Sequence, residues 1–508
     1  MLAGCSEPVA GQPSPTATLN PTTAVSPTSE PSAAATSSPE SSPTATPGAP
    51  RVLLPWVARR ASLASAKTRA WGLQFSLEDD PELYAAYAAV ELPRARKLGL
   101  RSVRTNLRWD LVEPERTTGP GELDWRLYDE RLATYSTAGF DVMVTLVAYP
   151  AWATRYQCGM ELLPGMEPEW REFVREAALR YSREPYRVAA WEIGNEVDGK
   201  TAVVDADFER SEDWGGGQPT TPYGGCWGDR APQYVEFLRA AYEEIKAVDP
   251  DVLVTHGGLA NVDLFDHFGY DLFHMDFLDR FLEAGGAEYF DFFNYHWFPD
   301  VDPRYQPPGP VKHRQLMAKL RAHGVDVPVW LTETYRLSDP TRPDGELGQV
   351  DFATREVVEM LGFPVIDRVY WYGWVDFPAR YKPEPNKPDR GAVRADHSAK
   401  PVVSVLPYTI QHTAGRPTNI STDAVSGYRF AWPRERREYV VAWPLVEGGP
   451  VTLELPAAPG SRALVTTFPR EMLLAGECCT QTVVEERDGV IVLTIGGGAD
   501  EVFAAIDR

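Results

Sequence analysis

From residue 69 onward the chain repeats one pattern: a short apolar run, a polar loop, and a segment whose apolar positions recur at helical spacing. The short runs read as strands at Ala70 to Ser76, Ser102 to Leu107, Val142 to Ala148, Val188 to Ile193, Leu253 to Thr255, Phe290 to Tyr295, Val329 to Leu331 and Arg368 to Tyr372. Helical periodicity covers Glu82 to Leu98, Asp124 to Ala138, Pro168 to Ser182, Ala231 to Val248, Asp276 to Ala284, Val311 to His323, Phe352 to Leu361 and Ala399 to Gln411. Gly99 and Gly139 stand where the first two helices should stop. Eight strand-then-helix units over residues 68–415 predict an α/β fold, a (β/α)8 TIM barrel with enlarged loops, in preference to an open doubly wound sheet. No G-x-G-x-x-G follows the first strand, which removes the usual sign of a dinucleotide site.

The rhythm changes at both ends. Beyond residue 416, β-rich runs at Tyr439 to Trp443, Val451 to Leu455, Ala463 to Thr467, Thr482 to Glu486 and Val490 to Ile495 alternate with Gly, Pro or charged turns. Residues 416–508 are therefore expected to form a small antiparallel β-sandwich, either a structural appendage or a sugar-binding module. At the other end, residues 6 to 50 hold ten Pro among Ser, Thr and Ala, no aromatic residue, and only Glu7, Glu30 and Glu40 as charges. Such a stretch cannot bury enough apolar area to offset its ordering entropy, so residues 6–67 are expected to be a disordered linker. Leu2-Ala3-Gly4-Cys5 at its head resembles a bacterial lipobox, whose Cys becomes the lipidated first residue of the mature protein. That resemblance implies lipidation at Cys5, with residues 1–5 the remnant of a lipoprotein signal. An incidental cysteine ahead of a secreted stalk is the alternative, and both readings place the protein outside the cytoplasm.

Composition narrows the function. With 50 Lys+Arg against 72 Asp+Glu the formal charge is −22, and only three of those acids lie in the linker. An acidic body is a poor partner for nucleic acid, which needs a basic footprint. No run of about 18 apolar residues occurs, so contact with a membrane is expected only through the lipid. Apart from Cys5 there are Cys158, Cys226, Cys478 and Cys479, without C-x-x-C spacing. Adjacent Cys478 and Cys479 would bond each other only with strain, so Cys158 and Cys226 are the candidate disulfide, with free thiols as the alternative. Cys226 also stands in Gly224-Gly225-Cys226-Trp227-Gly228, which matches a nucleophile turn by letters, but a Gly/Pro/Thr-rich loop precedes it instead of a buried strand. No H-E-x-x-H or Walker-type loop occurs and the eight His are scattered, so no metal or cofactor is expected.

In a barrel of this kind reactive groups stand where strands exit into the loops of the C-terminal face. After the fourth strand the chain reads Trp191-Glu192-Ile193-Gly194-Asn195-Glu196, and after the seventh Trp330-Leu331-Thr332-Glu333-Thr334-Tyr335. Each exit delivers one carboxylate, Glu196 and Glu333. Glu192, deeper in its strand, reads as an inward member of a hydrogen-bond network, and Glu113 before Pro114 as a structural loop acid. Two carboxylates facing each other across a barrel mouth are what retaining glycoside hydrolysis requires.

These residues resemble the acid/base and nucleophile of the clan A glycoside hydrolases, the broad cellulase-like group that includes families 5 and 39. The similarity extends to Arg104-Thr105-Asn106-Leu107-Arg108-Trp109-Asp110-Leu111-Val112-Glu113-Pro114 with Leu123-Asp124-Trp125, to Tyr149-Pro150-Ala151-Trp152, to Asn294-Tyr295-His296-Trp297 and to Trp371-Tyr372-Gly373-Trp374. The resemblance implies a monomeric retaining glycosidase acting on a β-linked carbohydrate, with Glu333 as nucleophile and Glu196 as acid/base. It further implies that Arg104 secures Glu333, that Asn195 donates to the sugar 2-hydroxyl, and that His296 orients the nucleophile or a hydroxyl. Trp109, Trp152, Trp371 and Trp374 are expected to offer faces for sugar rings. One departure stands out: many clan members end the sixth strand in His-x-Tyr, whereas here it ends His296-Trp297-Phe298. Tyr295, Tyr335 or Tyr372 would have to supply the missing hydroxyl, or Glu333 is held differently. A carbohydrate-binding lipoprotein without turnover and a transglycosylase with the same two glutamates are the alternatives.

Overall fold

The computed structural model describes residues 70–507, apart from segments at 117–122, 155–161, 200–226, 263–272, 302–303, 305, 340–341, 343, 382–388, 432–435, 447–448 and 497–500. The expected linker, Cys5, and both Cys158 and Cys226 lie outside the described residues, as does most of the segment that follows strand four.

Eight parallel strands form one sheet: β1 (Ala70–Gln74), β2 (Ser102–Arg108), β3 (Asp141–Val147), β4 (Ala190–Ile193), β5 (Leu253–His256), β6 (Phe293–Trp297), β7 (Val329–Thr334) and β8 (Ile366–Tyr372). Pairing runs β5-β4-β3-β2-β1-β8-β7-β6, with β1 joined to β8 in register from Ala70 opposite Arg368 to Gln74 opposite Tyr372. The β5 and β6 ends meet through irregular bonds: Asp291 N to Val254 O at 2.8 Å, and His296 N to Leu259 O at 2.8 Å. The sheet thus curls into the expected (β/α)8 barrel.

Local chemistry explains the surrounding helices. Asp80 caps the helix Pro81–Ala86 by accepting from the backbone N–H of Glu82 and Leu83, with Pro81 at the position that needs no N–H. Gly99, at φ +103°, ends Leu92–Leu98 in the left-handed conformation that a side chain would disfavour. The single helix expected from Glu82 to Leu98 contains a π-helical turn, Tyr87–Glu91. Among the described residues no helix is long and apolar enough to cross a membrane.

The barrel interior is layered. At the bottom Met143, Ala190, Phe292, Trp330 and Tyr370 pack together, and Gly72 is small because a Cβ there would fall 2.5 Å from the Tyr370 ring. One step up strands β1 to β7, in the same inward phase, come Gln74, Arg104, Thr145, Glu192, Thr255, Asn294 and Thr332. An apolar floor therefore supports a polar layer directly below the C-terminal rim.

After the barrel helix Val402–His412, residues from Arg416 onward form the antiparallel β-sandwich. One sheet has the order β14 (Thr480–Glu485), β13 (Arg462–Thr467), β16 (Val502–Asp507), β11 (Arg437–Pro444), β10 (Val425–Ala431), β9 (Arg416–Asn419). The other pairs β12 (Val451–Pro456) with β15 (Val490–Ile495), and Val440, Leu453, Val465, Leu493 and Ala504 are among the residues filling the space between them. Sequence pattern alone missed β9, β10 and β16. Here Cys478 and Cys479 are free thiols beside Tyr408.

Candidate active site

Arg104 organises the polar layer. Its Nε donates to Glu192 Oε2 at 2.7 Å, Nη1 to Gln74 Oε1 at 2.6 Å and to Glu333 Oε1 at 2.5 Å, and Nη2 to Asn195 Oδ1 at 2.7 Å. Burial disfavours its charge, but Glu192 and Glu333 more than offset this, and the guanidinium is held more firmly protonated than usual. Glu192 is saturated: Thr145 Oγ1 also reaches Oε2 at 2.6 Å, while Gly258 N at 3.0 Å and Asn294 Nδ2 at 2.5 Å reach Oε1. A carboxylate with that many donors is a structural counter-charge, in line with an inward network role.

Above this layer stand Glu196, His296 and Glu333, with one donor atom from each lying within 4.8 Å of the others. His296 Nδ1 is 3.0 Å from Glu196 Oε1 and 3.8 Å from Glu333 Oε2. Glu196 sits in the left-handed region at φ +45°, just after Gly194 at φ +84°, so the chain turns sharply as it leaves β4 and swings this carboxyl over the mouth. Burial raises the Glu196 carboxyl to about 7, with Arg104 and Lys312 acting against the rise. Burial also lowers His296 to about 4, so the imidazole is neutral at physiological pH. The two glutamates thus differ in company: Glu333 leans on a guanidinium, and Glu196 on a neutral ring. Asn195 accepts from Arg104 through its carbonyl oxygen, so its Nδ2 amide is the group that can donate to a ligand.

The glutamates, Arg104, Asn195 and His296 come together, but the expected aromatic faces mostly do not. Trp109 is buried, stacked on Phe173 with centroids 5.0 Å apart, and its Nε1 donates to Glu113 Oε2 at 2.8 Å. Trp371 points out of the barrel against Phe352 with Nε1 on Arg390 O at 2.9 Å, and Trp374 is buried with Nε1 on Glu91 Oε2 at 3.0 Å. None of these three has a face to lend a sugar. Trp152 remains partly exposed, edge-on to Trp109 and anchored through Nε1 to Glu113 O at 3.0 Å. The rim aromatics are instead Phe298, Tyr335 and Tyr372, with the Tyr335 ring 4.6 Å from Phe298 and 6.2 Å from Tyr372. The Arg390 guanidinium lies 5.2 Å from the Tyr335 ring and 5.0 Å from that of Tyr372. Of the tyrosines weighed as substitutes on strand six, Tyr295 points away from the site, its hydroxyl 3.1 Å from His313 Nδ1. Arg104 is what holds Glu333 here. Gln74, Gly258, Asp198 and Lys312 also belong to the site's framework and were not singled out from the sequence.

Three convergent donors can hold a divalent cation in principle, but this set fits one poorly. Glu333 already binds Arg104, and that buried positive charge beside the cluster would repel a cation. The arrangement suits proton transfer between protein and substrate better.

No known protein-family profile matches the chain, and neither does any curated protein. Solved structures do match its fold. A family 39 glycoside hydrolase from the gut symbiont Bacteroides cellulosilyticus is similar at TM-score 0.56 and 17% identity, covering 87% of this chain and 81% of that one. A glucosidase from Croceicoccus marinus gives TM-score 0.58 at 13% identity, covering 87% and 96%. A family 30 endoxylanase from Clostridium papyrosolvens gives 0.54 at 11% identity, covering 87% and 97%. At these identities the likeness is one of fold, and any chemistry has to be argued from this chain's own residues.

Proposed function

We propose that this protein is a retaining glycoside hydrolase that cleaves β-linked oligosaccharides or polysaccharides by double displacement. The observation that carries the reading is the facing pair: Glu196 and Glu333 present oxygens within 4.8 Å of each other at the barrel mouth. Retaining enzymes keep their carboxyl groups about 5–5.5 Å apart, whereas inverting ones leave about 6.5–9.5 Å for a water. Their environments supply the division of labour. Glu196, held up to about 7, keeps a proton to give, and its side chain is still 16% exposed, so the proton can leave. Glu333, paired with Arg104, is the nucleophile.

In the first step a Glu333 oxygen bonds the anomeric carbon as the bond to the leaving oxygen breaks, and the Glu196 proton passes to that oxygen. In the second, Glu196 takes a proton from water, whose oxygen displaces Glu333 from the anomeric carbon; two inversions give net retention. The Asn195 amide is the donor for the 2-hydroxyl, and Phe298, Tyr335, Tyr372 and Trp152 are the surfaces against which rings would stack. Among the fold neighbours are a glucosidase and an endoxylanase, and the sugar is accordingly left at the level of a β-glycoside. The direct bond from Arg104 to Glu333 answers the loss of tyrosine on strand six, and with it the motive for a binding-only barrel. Lipidation of Cys5 and an extracytoplasmic location belong to the same proposal and are supported by the Pro/Ser/Thr-rich composition that follows that residue.

The test is a panel of aryl β-glycosides and β-glucans, xylans and mannans. Glu333→Ala should abolish turnover and, with azide, yield the α-glycosyl azide, while Glu196→Ala with azide should yield the β-glycosyl azide. The opposite stereochemistry in either variant would reverse the roles, and no turnover of any substrate by the wild type would sink the reading.

A further inference from the structure

Two ionisable side chains behind Glu196 take no part in the displacement just described, although burying them is costly. Asp198 is 1% exposed and Lys312 is fully buried, and Lys312 occupies the inward stripe of its helix with His313, Leu316, Met317 and Leu320. An apolar residue would fill that stripe at less cost.

Their contacts run between loops. Asp198, two residues beyond Glu196, accepts from Ala260 N at 3.1 Å and Asn261 N at 2.7 Å, both on the loop after β5. Lys312 Nζ donates to Ala260 O at 2.5 Å and to Gln306 Oε1 at 2.9 Å, and Gln306 Nε2 donates to Phe298 O at 2.5 Å, at the exit of β6. A continuous chain of bonds therefore links the loop bearing Glu196, the loop after β5, and the strand bearing His296. Glu196 itself stands in the left-handed region, a conformation that persists only where its surroundings fix it.

We propose that Asp198 and Lys312 are positioning residues that brace Glu196 against His296, so that its proton is aimed at the leaving oxygen. This rests on the glycosidase reading and adds to it. Burial raises Asp198 to about 7 and lowers Lys312 to about 7, as expected for groups kept dry in the brace.

The test uses leaving-group dependence, because a misplaced general acid matters for a poor leaving group and little for a good one. In the full chain, kcat/KM is measured for dinitrophenyl and phenyl β-glycosides of glucose and xylose, for the wild type, Glu196→Gln, Asp198→Asn and Lys312→Met. The ratio between the two aglycones does not depend on the fraction of folded enzyme. Glu196→Gln should lose roughly 10²-fold or more on the phenyl substrate and far less on the dinitrophenyl one. Asp198→Asn and Lys312→Met should show the same asymmetry, the ratio moving by roughly tenfold. Should Lys312→Met not fold, Gln306→Leu removes one of the acceptors of Lys312 and is expected to shift the ratio in the same direction. An equal fall on both substrates in the Asp198 and Lys312 variants, with Glu196→Gln asymmetric, would reduce these residues to structural support and overturn the proposal. A symmetric Glu196→Gln would instead show that the glycosidase reading itself has failed.

Discussion

A carboxyl that gives up its proton near neutrality has to be kept from ionising early, and at Glu196 burial does this, raising it to about 7. Since the protonated form is the reactive one, kcat/KM on phenyl β-glycosides should fall as pH rises through about 7, and Glu196→Gln should erase that alkaline limb from its residual activity. Dinitrophenyl substrates, which need little help from the acid, should show little of it even in the wild type. The same shift affects stability. Folding holds this proton more tightly than the unfolded chain does, so stability is greatest below the ordinary carboxyl range and declines as pH climbs through 7. Glu196→Gln should therefore be more stable than the wild type by about 1–3 kcal/mol at pH 8, with a gain of less than about 1 kcal/mol at pH 5; chemical denaturation at the two pH values checks the sign. Arg104 is the second residue on which the site turns, because one guanidinium fork satisfies Gln74, Glu192, Asn195 and Glu333 at once. Arg104→Lys keeps the charge but cannot reach all four partners. It should cost about 3–5 kcal/mol of stability, since buried carboxylates lose their partner, and at least roughly 10²-fold in kcat. Urea titration and steady-state kinetics on the same preparation would measure both.

Strands and loops carry these side chains, and one tight point among them is the seam between β5 and β6. Gly258 lies there, its N–H on Glu192, and a Cβ would stand 2.4 Å from His296 Nε2 and 3.0 Å from Thr332 Oγ1. Gly258→Ala should push the imidazole off Glu196, costing about 1–3 kcal/mol through overpacking and lowering kcat more than it raises KM; melting curves and kinetics with an aryl β-glycoside would show it. The barrel was readable because its strand-then-helix alternation repeats, and Glu196 and Glu333 because strand exits are few and each carried one acid in a recognisable setting. The aromatic subsites were not. Along Tyr370, Trp371 and Tyr372 every residue is aromatic, so the sequence carried no alternation to tell the inward phase from the outward one. The structure points Tyr370 inward and Trp371 at the helix layer. Trp109 and Trp374 were lost for a related reason: each lies within two residues of a strand's end, yet each binds a buried glutamate, Glu113 or Glu91. Lys312 shows the converse, a charge on the apolar stripe of a helix whose meaning depends on loops distant in sequence.

At the scale of the molecule the sandwich is tied to the barrel by more than apolar contact. Rings of the last barrel helix meet it, His412 lying 4.8 Å from Tyr439 and 5.2 Å from Phe503. Arg470 reaches back to Asp351 at 2.8 Å, and Arg355 Nε on the barrel donates to Glu501 Oε1 at 2.5 Å, just ahead of β16. Glu501 is 2% exposed, and burial raises it to about 7 even against the pull of Arg355. A charge buried at a junction with a partner from the other side is neutral or costly as a pair, but breaking it leaves the survivor uncompensated. Arg355→Ala should therefore cost about 3–5 kcal/mol at pH 8, where Glu501 would have to be buried ionised, and clearly less at pH 5, where the carboxyl can take a proton. Adding Glu501→Gln should return most of the loss at pH 8, because it removes the stranded charge. If the junction couples the two parts, the wild type melts in one calorimetric transition and Arg355→Ala separates a lower-melting one at pH 8 that Glu501→Gln merges again. Two transitions already present in the wild type would show that the sandwich folds without the barrel and that this ion pair only decorates the contact.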